Sequence, residues 1–416
     1  MTYFLLPRCG NFLQNNIICE VSSDMPATKI SPSLSNYLYD IKHKLTTYEK
    51  EWDVYKKYTN PYEYIHTVVP HNKKSVSNYK PLSRSFFKMI ELIHIFHLCP
   101  QLKQPALAPP PGFAPIPPPL LPIKTFHLAE GPGGFIEAIA FVRNCKQDQY
   151  VGITLMEDKN DPNIPSWKKS DSFLRNNKNV AIECGADGTG NILSWDNFLY
   201  CKEKYGASMD IITADGGFDF SSDFNKQEVI ITRLLFGQIC YAIALQKPGG
   251  SFVLKIFDCF YGHTIDLLYI LSSYYEKVYI SKPQTSRHAN SEKYVVCKGF
   301  FAKTTANMES AFSKMLSHPT ENVHIWRFLN VPVPHYFVNK LEDMNSIIGQ
   351  QQLENIHYTL SLIDYKNKYD KIDALIRTNV QKCIHWCLKY HIKFNPFHVE
   401  IFNERELVSQ HSFVVE

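Results

Sequence analysis

Signals that would settle a function class at once are missing from this sequence. Its 11 cysteines occur singly, with no CxxC pair. Cys383 and Cys387 flank His385, but three residues separate them and no second pair follows. A zinc site is therefore not expected, and the thiols read as reduced and buried. The N-terminus, MTYFLLPRCGNF, breaks its short apolar run at Pro7 and Arg8 and lacks the order and length of a signal peptide. No stretch is read as approaching the ~20 apolar residues of a membrane span. Charge of one sign is scarce too: 44 Lys and Arg stand against 40 Asp and Glu, a net charge of +4. That excludes a chain-wide polycation and leaves room for a local basic groove. No internal repeat is visible. The expectation is a soluble intracellular protein without membrane contact.

What is there is a large globular chain. At 416 residues, 44% hydrophobic and 20% charged, it can bury a sizeable core as one enlarged domain or two. Residues 1–80 form an N-terminal extension rich in Tyr, Asn and Lys, with room for a helix or two over 34–58. SRSFFKMIELIHIFHL (83–98) has helical apolar spacing and a Ser start. Ten prolines then crowd residues 99–124, which excludes helix and central strand and leaves a stiff loop or a docking element for another protein. From Phe126 strands and helices alternate. TFHLA, YVGITL, MDIITA, SFVLKIF, KVYISK and KYVVCKGFFA read as strands, the last two as a hairpin. FIEAIAFVRN, QEVIITRLLFGQICYAIAL and TIDLLYILSSYY read as helices, the second closed by Pro248-Gly249-Gly250. This alternation predicts an α/β fold, with a mostly parallel sheet covered on both faces and ligands beyond the carboxyl ends of its strands. The region 81–305 is the expected domain. Residues 306–416 read as mainly helical and packed on it.

Several residues stand in costly places. Asp215 ends the apolar strand MDIITA and is followed by two glycines, where a turn-forming Asp is the simplest reading. Lys255 lies inside SFVLKIF and Lys88 among apolar neighbours in the 83–98 helix; each needs a partner or a route to the surface. Glu292 precedes the last strand. The turn AEGPGGF (129–135) follows the first strand and opens a helix, so its N–H groups face any ligand there. It is neither a dinucleotide fingerprint, since Ile136 stands where the third glycine belongs, nor a phosphate loop, since no GK[ST] follows. If the four charged residues converge, a buried lysine beside a cation has a lowered pKa and can serve as a general base.

The ordered set Lys88, AEGPGGF, ADGGFD, SFVLKIFD and SKPQTSRHANSEKYVVCKG resembles the FtsJ/RrmJ-like RNA ribose 2′-O-methyltransferases, most closely the Adrift-type branch that methylates the mRNA cap. The resemblance covers about 83–305. It implies a Rossmann-like fold with a seven-stranded, mostly parallel sheet and helices on both faces. It also implies S-adenosyl-L-methionine as donor, S-adenosyl-L-homocysteine as product, no required metal, and capped mRNA as substrate. It matches a Lys-Asp-Lys-Glu tetrad to Lys88, Asp215, Lys255 and Glu292, with Lys255 as base, Lys88 holding its pKa down and steadying the oxyanion, and the acids holding the lysines.

For the donor, the resemblance points to Glu130, Gly131, Pro132, Gly133, Gly134, Phe135, Thr154, Leu155, Asp187 and Asp215. For RNA it points to Arg84, Phe218, Asn225, Lys226, Gln227, Ser286, Arg287 and Asn290. One departure concerns the donor: where many relatives carry an acid five residues before the motif's proline, this chain has His127, and Glu130 stands nearer the turn. The richness in Tyr, Phe, Asn, Ile and Lys resembles a version from a large cytoplasmic DNA virus of the African swine fever type, which implies the host cytoplasm and the virion as locations. Other capping or transcription proteins are candidate partners of the Pro-rich loop. The other readings are methylation of another RNA, ribosomal or internal to mRNA, and a catalytically weak RNA- or partner-binding subunit that retains the fold.

Overall fold

In the computed structural model, residues 2–10, 13–99, 121–156, 167–217, 225–301, 305–365 and 369–396 are described. The Pro-rich segment falls almost wholly outside them. In chain order the elements are β1 (Thr2–Leu5), β2 (Ile17–Ser22), α1 (Pro32–Lys44), α2 (Glu49–Thr59), α3 (Ser85–Phe96), β3 (Lys124–Leu128), α4 (Gly134–Arg143), β4 (Gln149–Ile153), α5 (Asp171–Asn176) and β5 (Val180–Glu183). There follow α6 (Trp195–Tyr205), β6 (Met209–Ala214), α7 (Gln227–Leu245), β7 (Gln246–Ile256), α8 (Gly262–Tyr274), β8 (Tyr275–Lys282), β9 (Lys293–Phe300), α9 (Ala306–Ser317), β10 (His324–Leu329), α10 (His335–Asp364) and α11 (Tyr369–Lys389).

The main sheet has eight strands in the order β1-β8-β9-β7-β6-β3-β4-β5. Seven form the expected mixed sheet. From β5 through β4, β3 and β6 to β7 every pairing is parallel, and β9 then enters antiparallel between β7 and β8. The eighth strand, β1, corrects the seven-strand expectation. It comes from the N-terminal extension and pairs antiparallel with the β8 edge, Thr2 opposite Lys282. A separate two-stranded sheet joins β2 to β10. The central strands are buried on both faces, which is why they read as unbroken apolar runs.

Helix α7 is long and apolar enough to cross a membrane by length and composition, contrary to the sequence reading, but most of it is buried inside the fold. It packs on β6, β7, α6, α8 and α9 as a core helix. Two of its polar residues are satisfied within the helix: Thr232 Oγ1 donates to the Glu228 carbonyl at 2.9 Å and Gln238 Nε2 to the Leu234 carbonyl at 3.1 Å. Pro248-Gly249-Gly250 does not close this helix. Extended backbone begins at Gln246, opposite Met209, and a register shift before Ile211 absorbs the glycines. The Gln246 side chain fills the space a Gly250 Cβ would need, with its Nε2 only 2.4 Å from that position.

The chain forms two compact units, each from two stretches of sequence. The first joins Met1–Tyr48 to Pro81–His357 and holds both sheets; the second joins Glu49–Lys80 to Tyr358–Glu416. In the second unit Asn379 Nδ2 donates to the Tyr58 carbonyl at 2.7 Å, the Thr59 and Thr359 hydroxyls meet at 2.7 Å, and Ser77 bridges Phe394 in antiparallel fashion. Cys383 and Cys387 lie buried there, and burial pushes both thiols well above their ordinary value.

Candidate active site

Strand order alone marks one crevice. From β3 the chain steps to β4 and β5 on one side, then returns to β6 on the other. The gap beyond the carboxyl ends of β3 and β6 is therefore a topological switch point, where open α/β sheets bind ligands. The glycine turn leaves β3 there, and Asp215 leaves β6 beside it, with Leu128 opposite Ala214.

The turn is tight. Ala129 has φ 52°, the Gly131–Pro132 bond is cis, and Gly133 has φ 103° at the N-cap of α4. A Cβ on Gly134 would lie 2.2 Å from both Ser83 Oγ and Ser85 Oγ, so only glycine lets the turn seat against the start of α3. Glu130 folds under the turn, and its Oε1 accepts the backbone N–H groups of Phe135 at 2.6 Å and Ile136 at 3.3 Å. Its Oε2 is buried and has no hydrogen-bond partner among the described residues. Burial, then the charge of Asp215, push the Glu130 carboxyl well above its usual range. A cation placed at Oε2 would stabilise the carboxylate there. His127 plays no such part: its ring nitrogens sit 2.7 Å from the hydroxyls of Thr125 and Thr213. Burial pushes it down to about 3, so it is neutral and satisfied within the sheet.

The wall beyond β4 is the loop 185–192. Asp187 Oδ1 accepts the Thr189 N–H at 2.8 Å, the Thr189 hydroxyl at 2.7 Å and Asn197 Nδ2 at 2.8 Å, which hold the exposed carboxylate down to about 2. It shapes its own loop through that oxygen. Met156 N donates to the Thr189 carbonyl at 2.8 Å, tying the loop to the end of β4. Thr154 there is buried, whereas Leu155 is 43% exposed.

The four charged oddities do converge. Lys88 Nζ lies 2.6 Å from Glu292 Oε1, both largely buried. Lys255 Nζ lies 3.3 Å from Asp215 Oδ1 and donates to the Asp215 carbonyl at 2.7 Å. Tyr294, which the sequence reading passed over, joins the two pairs. It stands opposite Lys255 in the β7–β9 ladder, and its hydroxyl donates to Asp215 Oδ1 at 3.0 Å, with Glu292 Oε1 at 3.4 Å. Burial opposes the charge on Glu292, but Lys88 and then Lys255 outweigh it and hold the carboxyl far below its usual range. Gly217 passes over the site: a Cβ there would come 3.2 Å from Lys255 Nζ.

Two further sets of contacts fix this cluster. Helix α3 is apolar nearly all round, so its charged residues must find partners. Glu91, one turn beyond Lys88, accepts the N–H groups of Gln284 and Thr285 at 2.8 Å and the Thr285 hydroxyl at 2.6 Å. Arg84 Nη2 donates to the Thr285 carbonyl at 3.1 Å. Together they clamp the loop before Glu292. Behind it, Lys282 Nζ donates to the Asn290 carbonyl at 2.7 Å and the Glu292 carbonyl at 2.8 Å, with burial and then Lys293 pushing it down to about 7. Lys42, from α1, pairs with Asp258 at 3.0 Å.

Of the residues expected on the RNA side, Ser286 is buried and its hydroxyl donates to Glu292 Oε1 at 3.0 Å, with Asn290 Oδ1 at 3.4 Å. Gln227 Oε1 accepts the Ser291 hydroxyl at 3.0 Å, which ties the start of α7 to the same loop. Asn225 and Arg287 are half-buried and Lys226 is exposed. Phe218 lies outside the described residues. The arrangement can hold a cation under the glycine turn and place a lysine amine beside a hydroxyl.

Residues 81–300 match the FtsJ-like methyltransferase family. A Trypanosoma brucei brucei protein named cap-specific mRNA (nucleoside-2′-O-)-methyltransferase 1 is 33% identical over 199 residues, covering 46% of this chain and 53% of that protein. A Pongo abelii protein named cap-specific mRNA (nucleoside-2′-O-)-methyltransferase 2 is 28% identical over 349 residues, 81% of this chain and 42% of that protein. The chain thus spans about half or less of the length of these curated relatives. A crystal structure of human methyltransferase-like protein 13 in complex with SAH aligns over 48% of this chain and 84% of that one, with 12% identity and a TM-score of 0.29.

Proposed function

Because the chain belongs to the FtsJ-like methyltransferase family, we propose that it transfers a methyl group from S-adenosyl-L-methionine to the ribose 2′-hydroxyl of a cap-proximal nucleotide of mRNA. The observation that carries the reading is the convergence of Lys88, Asp215, Lys255 and Glu292 at the switch point, beside a buried acid oxygen with no hydrogen-bond partner among the described residues. S-adenosyl-L-methionine supplies a methyl carbon made electrophilic by its sulfonium. The Glu130 carboxylate fits the donor's ammonium group, with the turn 131–135 around it and Thr154, Leu155 and Asp187 on the adenosine side.

Lys255, as the neutral amine, accepts the ribose proton as the ribose oxygen gains the methyl carbon; the sulfur keeps the electron pair of the broken carbon–sulfur bond and leaves as S-adenosyl-L-homocysteine, and Asp215 holds the ammonium that forms. Lys88 faces the developing negative charge, kept in place by Glu292. Tyr294 bridges the two acids and so couples the two ion pairs. A base placed within hydrogen-bond reach contributes about 10²–10⁴-fold, and fixing the reacting atoms in line contributes further. Arg84, Phe218, Asn225, Lys226, Gln227, Ser286, Arg287 and Asn290 form the RNA side of this reading, and no residue of the site is assigned to a metal.

The names of the trypanosome and orangutan relatives support the cap as substrate. The composition supports an origin in a large cytoplasmic DNA virus, and with it the host cytoplasm and the virion as locations. Fractionation of infected cells tests the location. The test of the chemistry is Lys255→Met. Methyl transfer to capped RNA should fall about 10²–10⁴-fold while donor affinity stays within a few-fold of wild type. Transfer at more than a tenth of the wild-type rate would remove Lys255 from the role of base.

A further inference from the structure

The second unit carries a charge asymmetry that the methyl-transfer reading does not use. One residue in ten is acidic over the whole chain, 40 of 416. Residues 64–80 and 374–396 make up about forty residues, where some four acids are expected, and they contain none. They contain Lys73, Lys74, Lys80, Arg377, Lys382, Lys389 and Lys393, with four histidines. The two stretches lie some 300 residues apart in sequence, yet the fold lays one on the other.

Ser77 bridges Phe394, and Asn78 N donates to the Lys393 carbonyl at 2.9 Å. Asn395 N donates to the Val76 carbonyl at 2.8 Å and Asn395 Nδ2 to the Ser75 carbonyl at 2.9 Å. This seam brings the loop 71–80 against the end of α11. Lys73, Lys74, Lys80, Lys389 and Lys393 all stand within four residues of this seam along the chain, and all are exposed. Lys389 Nζ lies over the Tyr390 ring at 5.4 Å, and Phe394 is 36% exposed at the seam. None of the five lysines forms an ion pair with a described residue.

Five like charges on one seam, with no ion pair among the described residues, repel one another and weaken the fold. The partner that fits is a polyanion able to bring several charges at once and to stack on an aromatic ring. Single-stranded RNA has both properties.

We propose that this end of the second unit is a sequence-independent docking surface for the phosphate backbone of single-stranded RNA. Its choice of ligand rests on the reading of an RNA-directed enzyme. The test is a binding assay that needs no turnover, so failure of either idea shows separately. The full chain would be titrated against a fluorescent, uncapped single-stranded RNA of about 20 nucleotides over a range of salt.

In a variant carrying Lys73→Gln, Lys74→Gln, Lys80→Gln, Lys389→Gln and Lys393→Gln, affinity near 0.1 M salt should fall at least about tenfold. The slope of log K against log salt should shrink by up to about 3.5, at roughly 0.7 for each of the five phosphate contacts. The matching set of five Lys→Arg substitutions should keep both the affinity and the slope. Unchanged affinity and slope in the Gln set would overturn the proposal. So would a wild-type protein that binds a polyglutamate peptide as tightly as RNA, with the Gln set losing the peptide and keeping the RNA, since the partner would then be an acidic protein.

Discussion

Replacing Glu130 by Gln separates the two tasks that the buried carboxylate performs. Gln keeps the length and leaves a carbonyl oxygen for the Phe135 N–H now held at 2.6 Å. It puts an NH2 group where the unpartnered Oε2 lies and removes the charge. If that charge receives the donor's ammonium, its loss leaves a buried cation uncompensated, at a cost of about 2–5 kcal/mol. Donor and product affinity should then fall on the order of 10²-fold. S-adenosyl-L-homocysteine and 5′-methylthioadenosine share the adenosine, and only the first carries the amino-acid end. Calorimetric titration should show the loss for the first and little change for the second.

The ligand-free protein should respond in the opposite direction. Burial, then Asp215, hold the Glu130 carboxyl above its ordinary 4.5, so the folded chain keeps a proton that the unfolded chain has released. Its stability therefore falls as pH rises above about 4.5. The Gln variant has no proton to lose there and should melt higher than wild type at neutral pH. Equal loss of both ligands, or no loss of either, would refute the assignment of Glu130 to the ammonium.

Glu91→Ala should cost about 2–4 kcal/mol, since it strands the buried N–H of Thr285 and frees the loop that carries Glu292; denaturant melts read the cost, and turnover should fall more than donor affinity. Glu228, at the start of α7, accepts the N–H groups of Phe260 and Tyr261 at 2.9–3.0 Å, and burial pushes it up to about 7 from an ordinary 4.5. The folded protein holds that proton up to about pH 7, so Glu228 contributes a decline in stability between about 4.5 and 7. In Glu228→Gln, the stability–pH curve measured in urea should be flatter over that window.

The sheet was legible where strands are buried on both faces. FHL, VLKI and YVVC leave no polar alternation to confuse with a surface helix. Strands β1, β2 and β10 were not legible. In β1 both Tyr3 and Leu5 are about half exposed, and β2 finds its partner some 300 residues away, Ser22 against His324. The four-residue β5 was too short to announce itself. Local pattern holds no record of such distant pairing, which is also why the two-stretch construction of both units was invisible.

The site was readable as misplaced charge: Lys88, Asp215 and Lys255 each sit where burial would be costly without a partner. Glu91 gave the same signal, an acid in an otherwise apolar helix, and was overlooked beside Lys88. Tyr294 gave none, because a tyrosine in a buried strand is ordinary until its hydroxyl is seen between two carboxylates. His127 was the reverse case, a suspect position that the two threonine hydroxyls explain as core.

The most direct test of the central claim uses labelled S-adenosyl-L-methionine and three short RNAs. One has an N7-methylated cap, one has the same cap with its first ribose already methylated, and one has no cap. The account predicts transfer to at least one capped RNA, little to the uncapped one, and label recovered on a ribose 2′-oxygen after nuclease digestion. Equal transfer to all three, label on a base, or no transfer by a protein that binds the donor would contradict it.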